Sequence, residues 1–476
     1  MKLRLFATIL LLGVLSAATQ ARDITSARTQ KAIDRFVDDS LMRHGSIGVI
    51  VVDVKTGKLL GSRNANMACI TASTMKTVTS SAALEILGAD YTFQTPVYLD
   101  GEIHGNTLRG NLVVVGVGDP TLGSVYFKEN LDIVNEIVDK LHMQGIKQID
   151  GKVLVDNSSY YYPAYNGDWC ADDLAWDFGM GVHALNYCDN RMRLVFDGKG
   201  DGTISNAHFE PNVPGVQIVN RMRSGNKDNV GVLLEYAHPS IVLTGTAADT
   251  TYYFYVSNPT PEALLIDSLN HTLAREGIKL GNNSITPGSQ RWQLLTHKSP
   301  VMTDILTSLL ERSDNMFTEA LLRAMAVNSG REPIDSEGVA VIDSLFTARG
   351  LDASGKFQYD GSGLARNNKA PVQFFADMLT YMASRRFGSK QLRLVDLMPR
   401  VGINARIGTV LPETALSTHI AVKSGSMRDV QCYVGYYPAE EPQYAWAVLV
   451  NNWHGSRPNL RNMIDRLLIG IFDPEH

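Results

Sequence analysis

The alternation of hydrophobic and polar positions predicts both helices and strands in the first part of the chain. Residues 25–42 have helical spacing, and residues 47–54 are an apolar run typical of a buried strand. A turn at residues 55–58 leads into a second strand, which makes a hairpin. Residues 73–87 are apolar on several faces, carry little charge and are followed by Gly88. This pattern predicts a helix that is buried on most of its surface and ends at Gly88.

The pattern changes near residue 97. From there to residue 291, short strand-like runs alternate with Gly-, Asn- and Asp-rich turns, and one clear helix is predicted at about 131–144. Helical spacing returns later in the chain, at residues 300–328, 333–349 and 371–385. The chain closes with strand-like runs and a helix, at residues 431–437, 446–451 and 459–471.

The two ends of the chain therefore resemble each other more than either resembles the middle. This arrangement is typical of one α/β domain interrupted by a long insertion. We expect the discontinuous domain to comprise residues 22–96 and 292–476. The insertion, residues 97–291, is expected to be mainly β and to form one or two small domains.

The N-terminal residues 1–21 have the pattern of a secretory signal peptide. Lys2 and Arg4 precede an apolar run at residues 5–15, and small residues lead to Ala21. This run is too short to span a bilayer comfortably, although an uncleaved anchor is the alternative. No later stretch reaches about 18 uninterrupted apolar residues, so we expect a mature chain without a transmembrane segment. The expected location is the periplasm, with peripheral membrane association left open.

Composition and cysteine content narrow the choice of function. The chain has 476 residues, 44 Lys and Arg, 49 Asp and Glu, a net charge of -5 and 44% hydrophobic residues. It is therefore a folded protein without the broad basic surface that nucleic-acid binding needs. Of its four cysteines, Cys170 and Cys188 are the expected disulfide pair. No cluster has metal-ligand spacing, so neither a metal nor another cofactor is expected.

The start of the apolar helix carries Ser73 and Lys76, three residues apart. Residues at this spacing share one face of a helix, so the hydroxyl and the amine can come within hydrogen-bonding distance. A lysine is costly to bury unless its charge is paired or removed, and a neutral amine there could take a proton from serine. Backbone N–H groups at the helix start could also hold an oxyanion. Alone the motif is weak, because Ser73 could be an N-cap and Ser224 and Lys227 repeat the spacing in a Gly-Asn turn.

Two further motifs complete a set. Ser313 and Asn315 form a Ser-x-Asn pattern in the helical stretch 304–325, and Lys423 begins a Lys-Ser-Gly pattern just before a strand. Together with Ser-x-x-Lys these motifs occur in the order found in serine acyl-transfer enzymes that bind penicillin.

Each of these two motifs also has a decoy. Ser268 and Asn270 match Ser-x-Asn but fall on an amphipathic helix, and Lys55 matches the third pattern but forms the tip of the first hairpin. One set alone has the right order with every member in a suitable setting. Its members are Ser73, Lys76, Ser313, Asn315 and Lys423.

With these motifs the sequence resembles the class C low-molecular-mass penicillin-binding proteins, which are D-alanyl-D-alanine carboxypeptidases and endopeptidases of the serine peptidase type with a large insertion. The resemblance extends over nearly the whole mature chain and includes residues 116–122, 298–323 and 360–366. It implies a serine β-lactamase/transpeptidase-like α/β domain with inserted domains between the first and second motifs. In two departures from the family pattern, Thr71 stands where proline is usual and Ser424 where threonine is common.

The resemblance implies attack on peptidoglycan stem peptides through a serine acyl-enzyme, with covalent inhibition by β-lactams. Ser73 would be the nucleophile and Lys76 its base in the simplest account, although the base is disputed for related enzymes. Ser313 would relay a proton to the leaving D-alanine, and Asn315 would hold Lys76 and the substrate. Lys423 would favour a neutral Lys76 by like-charge repulsion and could meet the terminal carboxylate.

The same resemblance suggests substrate contacts. The N–H groups of Ser73 and Ser426 would form the oxyanion hole. Residues expected to face the substrate are Ser424, Gly425, Asp173, Phe178 and Arg366, with the added charge of Arg428 just past the third motif. For the role given to Asp173, Asp172 and Asp177 are alternatives. Asp119 and Asp360 are expected to form turns. Trp169 is expected to pack in the interior or to line a groove.

Two other functions compete with this one. A β-lactamase or esterase on the same scaffold would need fast deacylation, and the sequence identifies no dedicated deacylating glutamate. A non-catalytic cell-wall binding protein could keep the fold, although intact motifs argue against it. The balance of carboxypeptidase, endopeptidase and transpeptidase action does not follow from the sequence, because all three use the same acyl-enzyme.

Overall fold

A computed structural model describes residues 24–473 apart from short gaps at 129–131, 161, 198–205, 236, 249–250, 282, 284, 286–290, 404–409 and 412–413. The predicted signal peptide, residues 1–21, lies outside the described residues. The helices in the described part are α1 (Ser26–Val37), α2 (Met75–Ile86), α3 (Ile133–Met143), α4 (Pro261–Arg275), α5 (Met302–Arg312), α6 (Asn315–Asn328), α7 (Asp335–Ala348), α8 (Val372–Ala383), α9 (Leu394–Leu397) and α10 (Arg457–Phe472). None of these helices is both long and apolar enough to cross a membrane.

The strands of the described residues form five sheets. In chain order they are β1 (Ser46–Asp53), β2 (Leu59–Arg63), β3 (Cys69–Ile70), β4 (Gln94–His104), β5 (Thr107–Val115), β6 (Gln148–Ile149), β7 (Val153–Asp156), β8 (Arg191–Asp197), β9 (Asn206–Glu210), β10 (Gln217–Asn220), β11 (Arg223–Gly225), β12 (Asn229–Glu235), β13 (Ser240–Ala248), β14 (Thr251–Ser257), β15 (Lys279–Leu280), β16 (Arg291–Lys298), β17 (Lys369–Ala370), β18 (Ala421–Met427), β19 (Val430–Tyr437) and β20 (Tyr444–Asn451). Between β4 and β16 the described pairing is mixed. Antiparallel pairs of strands near each other in the sequence are β4–β5, β8–β9 and β12–β13, antiparallel pairs of distant strands are β4–β16 and β8–β14, and parallel pairs are β5–β6, β5–β7, β6–β15, β10–β13 and β11–β13.

A five-stranded antiparallel sheet, in the order β18-β19-β20-β1-β2, combines strands from both ends of the chain. Residues on one face, such as Trp446 and Val448, pack against α1 and α10. Residues on the other face, such as Ala447 and Leu449, pack against α2, α5, α6 and α8. Because both faces are covered, β1 and β20 are continuous apolar runs rather than alternating ones. This three-layer arrangement confirms the predicted α/β class.

The chain leaves and re-enters the region of the five-stranded sheet through two adjacent strands. β4 and β16 pair antiparallel, with Gln94 opposite Lys298. They belong to a sheet in the order β15-β6-β5-β4-β16, with β7 beside β5, and this sheet shares a core with α3 and α4. A second core lies between β14-β8-β9 and the sheet formed by β10 to β13. These elements bring the segment at residues 162–190 onto the face of α6, where Phe178 and Val182 accept hydrogen bonds from its side chains.

The predicted disulfide between Cys170 and Cys188 is wrong, because all four cysteines are free thiols in the structure. Cys170 follows Trp169, which packs against Ala365. Cys188 packs instead at the edge of the core beneath β4 and β5, and its N–H donates to the carbonyl O of Leu122 at 3.0 Å. The two cysteines therefore belong to segments that are anchored on different cores.

Candidate active site

The three sequence motifs meet beside the edge strand β18 of the five-stranded sheet. Ser73 lies in the turn that leads into α2 and Lys76 in the first turn of α2. Ser313 lies between α5 and α6, Asn315 is the first residue of α6, and Lys423 lies on β18. Lys76 bonds to Asn315, 239 residues away, and Lys423 bonds to Ser313, 110 residues away. Tertiary packing therefore assembles the site from three distant segments.

The chain reaches Ser73 through a tight turn. Residues Ala72–Thr74 form a 3-10 helix that leads into α2, and Ala72 has a positive φ of 45°. A non-glycine residue holds such a conformation only where the surroundings impose it. A Cβ at Gly425 would lie 2.9 Å from the backbone N of Ser73, and a Cβ at Gly363 would lie 2.0 Å from the carbonyl O of Ala72. Both positions are glycine because the backbone approaches so closely.

The amine of Lys76 is fully buried among three oxygen atoms. Its Nζ lies 3.0 Å from Ser73 Oγ and 2.8 Å from the carbonyl O of Ser362, and it donates to Asn315 Oδ1. Burial lowers the pKa of Lys76 to about 8, although nearby carboxylates oppose the shift. Of the two causes expected from the sequence, burial and repulsion from Lys423, burial is the largest cause of the lowered pKa. In the neutral amine the two amide oxygens occupy both N–H groups, so the lone pair is left for the hydroxyl of Ser73.

Ser313 marks a break between two helices rather than the interior of one. It ends α5 with the left-handed angles φ 59° and ψ 44°. Asp314 then caps α6 by accepting from the N–H of Phe317 at 3.0 Å. Lys423 is 1% exposed, and its Nζ donates to Ser313 Oγ at 2.9 Å and to the carbonyl O of Ser424 at 2.7 Å. The helix break therefore presents a serine hydroxyl to a second buried lysine.

The inserted region orients Asn315 directly. Asn315 Nδ2 donates to the carbonyl O of Phe178 at 2.7 Å, while its Oδ1 accepts from Lys76. Because a carbonyl oxygen can only accept, the contact with Phe178 turns the amide oxygen toward the lysine. The ring of Phe178 is 43% exposed, so its backbone rather than its side chain makes this contact.

Glu319 holds the backbone that faces Lys76, and the sequence analysis did not single it out. Its two carboxylate oxygens accept from the N–H groups of Gly361 and Ser362, each at 2.7 Å. The carbonyl O of Ser362 in turn accepts from Lys76. Burial raises the pKa of Glu319. Glu319 lies in the second turn of α6, in a stretch where residues 315–326 are all buried, but the local sequence does not show which groups its carboxylate contacts.

Asp360, which the sequence analysis treated as a turn former, is a fully buried hub for the same loop. Its carboxylate accepts from the N–H groups of Gly363 and Ala365, from the amide of Asn368 and from the indole N–H of Trp169, at distances of 2.7, 2.6, 2.7 and 2.8 Å. Trp169 belongs to the inserted region. Its hydrogen bond to Asp360 is therefore a second contact between the insertion and the surroundings of Lys76, after the bond between Asn315 and Phe178.

A cavity of about 270 Å³ opens in front of Ser73. The residues that line it are Ser73, Leu310, Glu311, Arg312, Ser313, Lys423, Ser424 and Ser426. Ser426 Oγ donates to Gln431 Oε1 at 2.8 Å, and the guanidinium of Arg457 donates to the same oxygen at 2.9 Å. Gln431 and Arg457 thus hold the end of β18 beside Ser73, and neither was predicted. Both residues of the expected oxyanion hole line the cavity.

Of the remaining predicted substrate contacts, Ser424 lines this cavity and Gly425 lies close to the backbone of Ser73. Burial raises the pKa of Asp173, and the positive charge of Arg366 opposes the shift, so these two side chains are near each other. Arg428 is exposed on the turn between β18 and β19. The alternatives Asp172 and Asp177 are exposed.

Comparison with known proteins gives this geometry a family. The D-Ala-D-Ala carboxypeptidase 3 (S13) family matches residues 29–469. The chain is similar to the D-alanyl-D-alanine carboxypeptidase of Actinomadura sp. (strain R39), with 24% identity over 470 residues that cover 94% of this chain and 85% of that protein. It is also similar to the D-alanyl-D-alanine carboxypeptidase DacB of Haemophilus influenzae, with 24% identity over 435 residues that cover 86% of each.

The fold leads to the same group of proteins. The crystal structure of penicillin binding protein 4 (dacB) from Haemophilus influenzae superposes with a TM-score of 0.78 and 22% identity, covering 92% of this chain and 98% of that chain. This likeness confirms the predicted serine β-lactamase/transpeptidase-like fold. The family match spans all three motifs and the insertion between them. The chain therefore belongs to the D-Ala-D-Ala carboxypeptidase 3 (S13) family of serine-type carboxypeptidases.

Proposed function

We propose that this carboxypeptidase removes the terminal D-alanine from peptidoglycan stem peptides and that Ser73 is its nucleophile. The observation that carries the proposal is the environment of Lys76. Two amide oxygens, from Asn315 and Ser362, take its N–H groups and leave the third position to the hydroxyl of Ser73. A buried amine with a pKa of about 8 is a suitable base for a serine near neutral pH.

In the acylation step, Ser73 Oγ attacks the carbonyl carbon of the penultimate D-alanine and its proton moves to Lys76 Nζ. The negative charge that develops on the carbonyl oxygen is held by the N–H groups of Ser73 and Ser426, which line the cavity. The C–N bond then breaks. Ser313 gives its proton to the departing amine and recovers one from Lys423, whose Nζ lies 2.9 Å away.

Deacylation reverses this path with water in place of the amine. As water attacks the ester carbon, its proton passes through Ser313 to Lys423. Lys76 returns its proton to Ser73 Oγ when the ester bond breaks, which restores the starting state. If the departing amine belongs to a neighbouring stem peptide instead of free D-alanine, the same cycle cuts a cross-link, so endopeptidase action needs no additional catalytic group.

The same nucleophile accounts for proposed inhibition by β-lactams. Attack on the lactam ring forms a serine ester, but the leaving nitrogen stays tethered in the site and obstructs the incoming water. Penicillin binding protein 4 of Haemophilus influenzae, which shares the fold, has been crystallised with a β-lactam. Since the substrate lies outside the cytoplasm, the proposal includes export to the periplasm, supported by the signal-like pattern of residues 1–21.

The decisive experiment follows the intact mass of the mature protein over time after mixing with a penicillin. We expect a single, long-lived adduct in the wild type, none in Ser73→Ala, and release of D-alanine from a stem pentapeptide by the wild type alone. Rapid loss of the adduct with drug turnover would instead identify a β-lactamase. A folded wild type that forms no adduct and releases no D-alanine would identify a non-catalytic binding protein.

A further inference from the structure

The small sheet β14-β8-β9 of the inserted region has one buried face and one face that carries charge and aromatic rings. Met192, Leu194 and Phe196 on β8 belong to a buried core. Arg191 and Arg193 alternate with them and therefore lie on the opposite face. On β14, Tyr253 and Tyr255 share this outer face, since Tyr255 pairs directly with Arg193.

Six side chains from this face and its surroundings form a continuous series that we call the Arg–Tyr ladder: Arg193, Tyr253, Tyr255, Arg191, Tyr126 and Arg312. The guanidinium of Arg193 lies 4.0 Å from the ring centre of Tyr253, and that ring lies 6.0 Å from the ring of Tyr255. Arg191 lies 4.5 Å from the ring of Tyr255 and 5.1 Å from the ring of Tyr126. Arg312 lies 3.3 Å from Tyr126 and completes the series.

The ladder ends in the wall of the active-site cavity. Arg312 lines the cavity together with Ser73 and immediately precedes Ser313. At the other end the ladder becomes open to solvent, because the ring of Tyr253 is 52% exposed. The ladder therefore connects the reacting serine to the outer surface of the inserted region.

The charges along the ladder are balanced. Arg193 pairs with Glu210 at 3.1 Å, Arg191 with Asp189 at 3.3 Å and Arg312 with Asp314 at 3.3 Å. A balanced row of guanidinium, carboxylate and ring faces does not favour a polyanion. It suits a ligand with many hydroxyl and amide groups and with apolar C–H faces, which pack on aromatic rings.

We propose that the Arg–Tyr ladder binds the carbohydrate strand to which the stem peptide is attached. This inference rests on the proposed function, since it needs a substrate whose reacting end enters the cavity at Ser73. Sugar rings stack on Tyr253 and Tyr255, while Arg193 donates to their hydroxyl or amide oxygens. The inserted region is then a substrate-binding surface for polymeric peptidoglycan, continuous with the catalytic cavity.

The test compares two substrates with one double variant. Tyr253→Ala/Tyr255→Ala is assayed on a synthetic pentapeptide that ends in D-Ala-D-Ala and on glycan strands that carry the same peptide. We expect kcat/KM to fall about tenfold on the glycan-linked substrate and to stay within twofold of wild type on the free peptide. The matched control is Tyr98→Ala, which removes a half-buried tyrosine that also stacks with an arginine, Arg291 at 4.4 Å, on a different sheet. The control is expected to leave both substrates unaffected.

An equal loss on both substrates, accompanied by slower acylation by penicillin, would show that the ladder only supports the active site and would overturn the proposal. No loss on either substrate would overturn it as well. If the wild type releases D-alanine from neither substrate, the proposed function itself has failed. Binding of uncleaved glycan strands to a Ser73→Ala background, with and without the two tyrosines, would then still test the ladder.

Discussion

Two regions of the molecule contain the same Ser-x-x-Lys spacing but differ in every property that matters for chemistry. Ser73 and Lys76 begin a helix, and the lysine is fully buried. Ser224 lies on the short strand β11, and Lys227 lies beyond its end with an exposed side chain. The helix brings positions i and i+3 onto one face, with 3.0 Å between Nζ and Oγ, whereas a strand end does not.

The Ser-x-x-Lys spacing therefore has chemical meaning only where the lysine is buried and its amine has specific partners. Lys76 is surrounded by oxygen atoms from Ser73 in its own segment and from Asn315 and Ser362 in two distant segments, and burial lowers its pKa to about 8. The third motif shows the same contrast, since Lys423 is buried against Ser313 while its decoy Lys55 is exposed in a turn. Buried lysines with specific partners are expected at functional sites far more often than elsewhere.

The largest expected difference between the two regions is in the serine. We expect Ser73→Ala to lower the rate of D-alanine release by more than about 10⁴-fold, since the variant cannot form the acyl-enzyme. Ser224→Ala should retain activity within about twofold. Rates of D-alanine release from a pentapeptide, with circular dichroism to verify folding, measure both. Substantial release by Ser73→Ala would contradict the assignment.

The lysines should differ almost as much. Lys76→Met keeps the apolar stem but removes the proposed base, so we expect a loss of about 10³-fold in the rate of acylation by penicillin. The variant should stay folded, because burying a methionine costs less than burying an amine. Lys227→Met, the matched variant in the exposed copy, should react as fast as wild type. Comparable rates for the two variants would mean that Lys76 is not the base.

The buried lysine also predicts a pH dependence. Burial stabilises the neutral amine, so the reactive base form increases as the pH rises toward about 8 and is lost as the pH falls. Between pH 8 and pH 6 the acylation rate of the wild type should therefore fall by roughly fifty-fold, close to tenfold for each unit well below the pKa. Stopped-flow acylation at several pH values measures this. A rate that is constant, or that rises as the pH falls, would rule out a neutral Lys76.

Much of this contrast could be predicted from the sequence. The order of the three motifs and the apolar pattern of α2 selected Ser73 and Lys76 over their decoys, because local periodicity records which faces are buried. The predicted strand at 47–54 and the observed β1, Ser46–Asp53, agree within one residue for the same reason. The features that could be predicted are therefore those that depend on residues close together in the sequence.

The parts that could not be predicted depend on contacts between distant segments. The break at Ser313 lies inside a stretch whose periodicity is helical on both sides, and its left-handed backbone is imposed by the fold. The bond from Asn315 to Phe178 spans 137 residues, and the bond from Trp169 to Asp360 spans 191 residues. The failed pairing of Cys170 with Cys188 has the same origin, since closeness in sequence did not place them on one core.

The smallest expected effect concerns the tie between the inserted region and the Lys76 pocket. Trp169→Phe removes the indole N–H that donates to the buried Asp360 and leaves the other three donors in place. We expect the free energy of unfolding to fall by about 1–3 kcal/mol. Acylation by penicillin should slow only about threefold to tenfold, because the loop that presents Ser362 to Lys76 loses one of its supports.

Trp292→Phe is the matched control for this variant, because it makes the same substitution at an indole that is 56% exposed on β16. Urea unfolding should show a change within about 0.5 kcal/mol for the control, as for most surface substitutions. The pH midpoint of acylation gives the finer measurement. If Trp169 acts on Lys76 through Asp360 and the Ser362 loop, Trp169→Phe should admit water to the pocket and raise the midpoint above that of wild type. An unchanged midpoint together with lower stability would mean that Trp169 only anchors the inserted region and does not tune the base.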